Sequence, residues 1–223
     1  MRVREYDCGG QKIAYFLERA YQVRLSVPKI DEMLAEKYVI RSTWRKNQKR
    51  GAVPTASCAR AVIPMDTVAL GHLFAFTGID IYTKEAAVML RLTLTSDDGA
   101  AFLHTAMARR VTGRIEVWQP DGGPEFKGAV ARQARAYCDR HRMARPYQKN
   151  EPAYLERFNR TLRQECVGGG TYRAGDRARV LPEVETFLVR YHYHRPHLGF
   201  SPMRPPLHIS PAQEDGLSDI YGE

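Results

Sequence analysis

Residues 60–95 read RAVIPMDTVALGHLFAFTGIDIYTKEAAVMLRLTLT, and this stretch decides the fold. Segments 60–70, 72–82 and 86–95 are rich in aliphatic, β-branched and aromatic residues, and Gly71 and a short polar break divide them into three neighbouring strands joined as hairpins. Downstream the texture changes to alternation. Ser96 can cap a helix whose first turn carries Asp97 and Asp98 and whose apolar face uses Phe102, Leu103, Ala106 and Met107. Residues 114–119 (RIEVWQ) form a short buried-type strand ending at Pro120 and Asp121. A second helix is expected over about 128–142, an extended piece over 144–147, and a long helix from near Pro152. Hairpin strands followed by strand–helix alternation indicate an α/β fold, a mixed sheet with helices on its faces.

Upstream, Ile13, Ala14, Phe16, Leu17, Ala20 and Tyr21 recur at helical spacing. A break at 22–26 follows, and Pro28 suits the first turn of a second helix through Ile30, Met33, Leu34 and Tyr38. Two short helices around a tight break fit a helix-turn-helix, whose second helix enters a DNA major groove, and equally a plain helical hairpin. Between them and the sheet, RSTWRKNQKR places Arg41, Arg45, Lys46, Lys49 and Arg50 together without an acid, a linker suited to phosphate contact. The C-terminal part carries one helix (181–193) and a Pro-rich strap, HRPHLGFSPMRPP, before a frayed end. The domains expected are 1–40 (helix-turn-helix unit), 41–58 (basic linker), 59–168 (the mixed-sheet core) and 169–223 (C-terminal helix and strap).

The 223 residues hold 34 Lys plus Arg against 25 Asp plus Glu, a net charge of +9. A chain this basic calls for an anionic partner, nucleic acid before membrane, because no run approaches the roughly 18 apolar residues of a spanning helix. The first residues lack a signal peptide's apolar run. Cys8, Cys58, Cys138 and Cys166 lie far apart with no Cys-x-x-Cys pair, which argues against a disulfide scaffold or zinc finger and for a reducing cytosol.

Three acids occupy special places. Asp66 interrupts an otherwise apolar strand, where an unpartnered carboxylate is costly. Asp121 sits at a strand exit in DGGPEF, where two glycines permit close backbone approach. Glu156 lies on the long helix in PAYLERFNRTLRQE. Each alone is read as plainly as an edge or capping residue, a turn former and a solvated helix face. Together, two strand acids and one helix acid offer oxygen ligands whose mutual repulsion a divalent cation relieves, and all-oxygen ligation selects Mg²⁺ or Mn²⁺.

The stretches MDTVAL, FTGIDIYTKEAAVML, QPDGGPEFKG, YLERFNRTLRQEC and YHYHRPHLGF-SP, in that order, resemble the DDE transposases and retroviral-type integrases, most of all bacterial insertion-sequence transposases. The resemblance covers most of the chain from about Arg60 to Pro206. It implies an RNase H-like five-stranded mixed sheet flanked by helices, with the helix-turn-helix in front and a helical extension behind. It further implies metal-dependent DNA strand cleavage and strand transfer by Asp66, Asp121 and Glu156 with two Mg²⁺ or Mn²⁺ ions, on double-stranded DNA at element ends and target. The implied protein is a homo-oligomer on DNA in the bacterial cytoplasm, without a membrane partner. Asp121 and Glu156 are separated by 34 residues, which fits the family. Two departures stand out: Gly122 replaces the usual Asn after the second acid, and Asn150-Glu151-Pro152-Ala153 precedes the third. Glu156 rather than Glu151 holds the family register. The N-terminal unit is short for a full transposase, so a further recognition domain is expected upstream or encoded elsewhere.

Arg160 and Arg163 follow Glu156 at i+4 and i+7 and suit DNA phosphates, or else a solvated face paired with Glu156 or Glu165. Asn159 reads as a structural hydrogen-bonding residue and Asp80 as structural. His192, His194 and His197 read as part of a packing or DNA-contacting strap rather than a zinc site. The rival reading is a catalytically inactive, transposase-derived DNA-binding protein.

Overall fold

The computed structural model describes residues 9–37, 55–110, 113–142 and 153–207. The chain divides into two compact units: residues 1–49 with 196–204, and residues 50–195 with 205–223. The basic linker residues Arg41, Arg45, Lys46, Lys49 and Arg50, as well as Glu151, lie outside the described residues.

In the first unit, α1 (Gly10–Tyr21) and α2 (Val27–Lys37) flank the break read from sequence. Gln22 ends α1 in the left-handed conformation, φ 55°, and its N–H returns to the Glu18 carbonyl. Ile13 and Ile30 are buried between the helices, against Ala14, Phe16, Leu17 and Leu34. In residues 196–204 of the strap, His197 N–H donates to the Arg204 carbonyl (3.0 Å) and the Arg204 guanidinium covers the Phe200 ring.

The second unit is built on β1 (Val62–Ala69), β2 (Phe74–Ile79), β3 (Ala86–Arg91), β4 (Ile115–Pro120) and β5 (Cys138–His141) in the order β3-β2-β1-β4-β5. The first three are antiparallel hairpin neighbours, while β4 and β5 join parallel to β1 and β4. Strand alternation divides the core. Ile63 and Met65 of β1 pack with Phe102, Leu103 and Ala106 of α3 (Ser96–Arg109) and Val130 of α4 (Ala129–Ala134). Val68, on the opposite face, packs with Leu155 and Phe158 of α5 (Ala153–Leu162) and Val184 and Phe187 of α6 (Arg177–Tyr193). Asp66 alternates in step with Val68 and therefore belongs to the α5 side.

Two local expectations change. The helix expected over 128–142 stops at Ala134, and 138–141 is instead the fifth strand. Parallel pairing with β4 (Ile115 with Cys138, Trp118 with His141), burial of Cys138 and a Trp118–His141 ring stack outweigh helical periodicity there. The cap of α3 is Thr95, not Ser96. Thr95 Oγ1 accepts from Asp98 N–H while Asp98 accepts from Thr95 N–H, a reciprocal capping box. The Ser96 hydroxyl instead donates to the Lys127 carbonyl (2.6 Å), joining the start of α3 to that of α4.

Asp80 is structural, as read: it is buried and accepts from the N–H groups of Arg60, Tyr82 and Thr83, closing the β2–β3 connection. His192 is buried in the core, and its Nε2 accepts from Ala86 N–H (3.0 Å), fastening α6 to β3. Burial, aided by the charge of Arg110, lowers its pKa from 6.5 to about 3. The unfolded chain therefore takes up a proton that the folded chain refuses. The stability from this histidine is complete above its ordinary pKa and drains as pH falls toward 3, by about 1.4 kcal/mol per pH unit. Denaturant unfolding at pH 7.5 and pH 5 should show that loss in the native protein and a flatter profile in His192→Gln, whose amide oxygen still accepts from Ala86. Equal slopes would exclude the role.

Candidate active site

β1 and β4 are adjacent and parallel, with Pro120 at the end of β4 in register with Met65 midway along β1. The ladder runs one residue past β4: Asp121 N–H donates to the Met65 carbonyl (3.0 Å), which sets Asp121 beside Asp66. Gly122 then turns the chain at φ 93°, a conformation that strongly favours glycine, and Asp121 Oδ1 accepts from Gly123 N–H (3.0 Å).

Asp66 is half-buried. Its Oδ1 accepts from Thr67 N–H (2.7 Å) and its Oδ2 from the Asn159 amide of α5 (2.9 Å). Burial first, and the negative charge of Asp121 second, push its pKa from 3.8 up to about 7, with a further contribution from Glu125. Two carboxylates this close want a proton or a cation between them. Their oxygens suit Mg²⁺ or Mn²⁺ better than zinc.

Glu156 lies in the first turn of α5 and is exposed, three residues before Asn159 and so on a neighbouring part of the same helix face. Leu155, Phe158 and Leu162 hold the helix against the sheet. Among the described residues, no three His, Cys, Asp or Glu side chains are grouped closely enough to hold a metal ion. The structure thus pairs Asp66 with Asp121, while Glu156 stands exposed on the first turn of α5. Arg160 is exposed on α5, whereas the Arg163 guanidinium donates to the Ala69 carbonyl (2.9 Å), tying the π turn Arg163–Val167 to the end of β1. Glu165 pairs with Arg190 and Arg195 rather than with the α5 arginines.

Asn159, read from sequence as a structural hydrogen-bonding residue, is one: its partner is Asp66, which only the folded contact of α5 with β1 reveals. One residue that sequence reading passed over also gains significance. Glu125, in the 3₁₀ turn Pro124–Phe126, is buried near the acid pair, and its carbonyl packs so tightly on Gly99 of α3 that a Cβ there would collide with it.

Residues 122–205 match the family model described as "Integrase core domain". None of the curated proteins compared is significantly similar in sequence. Among solved structures, the chain is similar to one in the simian T-cell lymphotropic virus intasome in complex with PP2A regulatory subunit B56 gamma. That match has TM-score 0.56 and 15% identity, covering 89% of this chain and 69% of that one. It is also similar to the catalytic core domain of BIV integrase, with TM-score 0.51 and 15% identity, covering 66% of this chain and 91% of that one. With the β3-β2-β1-β4-β5 sheet and the helices on its two faces, the chain has the fold of these integrase catalytic cores, and its residues 122–205 match the integrase core domain.

Proposed function

We propose that the protein is a transposase or integrase that cleaves and joins strands of double-stranded DNA with Mg²⁺ or Mn²⁺, working as a homo-oligomer in the bacterial cytoplasm. The observation that carries this reading is the apposition of Asp66, midway along β1, and Asp121, just past the end of the parallel strand β4, with Asn159 of α5 bonded to Asp66. Asp66 and Asp121 would hold the cations, and Glu156 would complete the set from α5. A divalent pair, when bound, supplies activation of the attacking hydroxyl and stabilisation of the leaving oxygen in an in-line phosphoryl displacement.

The protein's own residues do the remainder. Asn159 fixes the Asp66 carboxylate, the Gly122 turn aims Asp121, and Arg160 with the basic linker (Arg41, Arg45, Lys46, Lys49 and Arg50) binds DNA phosphates. Arg163 is assigned the same phosphate contact, alongside its bond to Ala69. In cleavage, a water oxygen bonds to phosphorus as the bond to the 3′ oxygen breaks. In joining, the freed 3′ hydroxyl attacks a second strand in the same way. The N-terminal helix pair serves as the helix-turn-helix reader.

The test is nicking of supercoiled plasmid in Mn²⁺, with EDTA as the blank: metal-dependent relaxation is expected. A second reading, a DNA-binding protein without chemistry, is favoured by the exposed position of Glu156. It predicts tight plasmid binding and no nicking under any metal.

Binding itself should weaken steeply with salt, log K falling linearly with log salt concentration. Arg160→Ala should lower that slope by about 1 without altering the melting temperature. Fluorescence anisotropy across a salt series measures both, and an unchanged slope removes Arg160 from the interface.

A further inference from the structure

Glu125 follows Asp121 by four residues, and its side chain does what a solvated loop glutamate does not. The residue is only 4% exposed, and its Oε2 has no hydrogen-bond partner among the described residues. An unpartnered buried carboxylate oxygen is destabilising unless something compensates it.

The loop is shaped to keep it there. Gly123 has φ −55° and ψ 156°, a conformation open to any residue, so its backbone does not require glycine. Its neighbour is the constraint: a Cβ on Gly123 would meet the Glu125 carboxylate, within 2.8 Å of Oε1 and closer to Oε2, so that side chain would have to move. The N–H of the same Gly123 donates to Asp121 Oδ1. One glycine therefore carries both carboxylates, and the charge of Glu125 is felt at Asp66. A third carboxylate near the pair adds to a repulsion that a positive partner would relieve.

We infer that Glu125 is a positioning residue of the cation site, accepting hydrogen bonds from the water shell of a divalent ion held by Asp66 and Asp121. The inference rests on the metal-dependent reading above. Contact through water rather than direct ligation follows from two facts. No three acids are close enough to hold an ion among the described residues, and Mg²⁺ keeps several waters when bound through one or two carboxylates. Groups in that outer position change metal affinity by about 10–100-fold.

The experiment is Mn²⁺ binding to the full chain without DNA, followed by electron paramagnetic resonance of the free ion. Glu125→Gln should weaken binding about 10-fold or more. Gly123→Ala should do likewise, because its methyl displaces the carboxylate while keeping the charge in the chain, and the double variant should be no weaker than either single one. Glu116→Gln, on the exposed side of β4, should bind as the native protein does. Circular dichroism checks folding, and if Glu125→Gln does not fold, Gly123→Ala decides alone. Native-like affinity in these variants overturns the role of Glu125 and leaves the metal reading standing. No Mn²⁺ binding by the native protein overturns both.

Discussion

Asp66→Asn should abolish metal-dependent nicking, by about 10³-fold or more, equivalent to some 4 kcal/mol of transition-state stabilisation, while DNA affinity and the fold survive. The substitution keeps the shape of the side chain and removes its charge. Its amide oxygen can still accept from Thr67 N–H. Its new N–H₂ would face the Asn159 amide, but Asn159 Oδ1 is buried without a hydrogen-bond partner, so a half-turn of that amide makes it the acceptor. Removing a carboxylate that burial and Asp121 already disfavour should hold or raise the melting temperature in EDTA. Loss of activity together with an unchanged or higher melting temperature separates chemistry from folding. Retained nicking would remove Asp66 from the reaction.

The largest effect on stability is expected at Glu165. It lies in the π turn after α5 and receives Arg190 and Arg195, the latter through Nε and Nη2 at 2.9 and 2.6 Å. The side chains of all three are largely buried, with 9%, 15% and 12% exposure. Glu165→Ala strips both guanidiniums of their carboxylate, and breaking a buried pair in this one-sided way costs about 3–5 kcal/mol. Against a total of about 5–15 kcal/mol for a folded domain, that is a large share. Urea unfolding should show the midpoint fall accordingly, with Glu165→Gln falling less because it still accepts hydrogen bonds. A change below about 1 kcal/mol would mean the cluster contributes specificity and little stability.

Much of this architecture was legible in the residues. β-Branched and aromatic runs gave the hairpin strands, the break at 22–26 gave the helix pair, and Asp66 stood out because a charge in an apolar strand needs a reason. The strand exit at Pro120 marked Asp121, and the parallel register of β4 on β1 sets it beside Asp66. β5 was not legible: CDRH has no strand signature of its own and becomes a strand only by pairing with β4. The capping box at Thr95 was missed because Ser96 is an equally good capping residue, and only backbone geometry distinguishes them. The partner of Asn159 and the burial of Glu125 escaped for a different reason. Their importance lies in contacts made across the fold or through a reversing turn, which no local period encodes.

The bare α-carbon of Gly99 lets a scaffold helix serve as the back wall of the acid-bearing loop. The Glu125 carbonyl rests directly on it, and Ser96 clasps the Lys127 carbonyl just beyond. One added methyl group on α3, far along the chain from either aspartate, would push that wall forward and shift the acids with it. The spacing on which phosphate chemistry depends is thus held partly by a residue with no functional group at all.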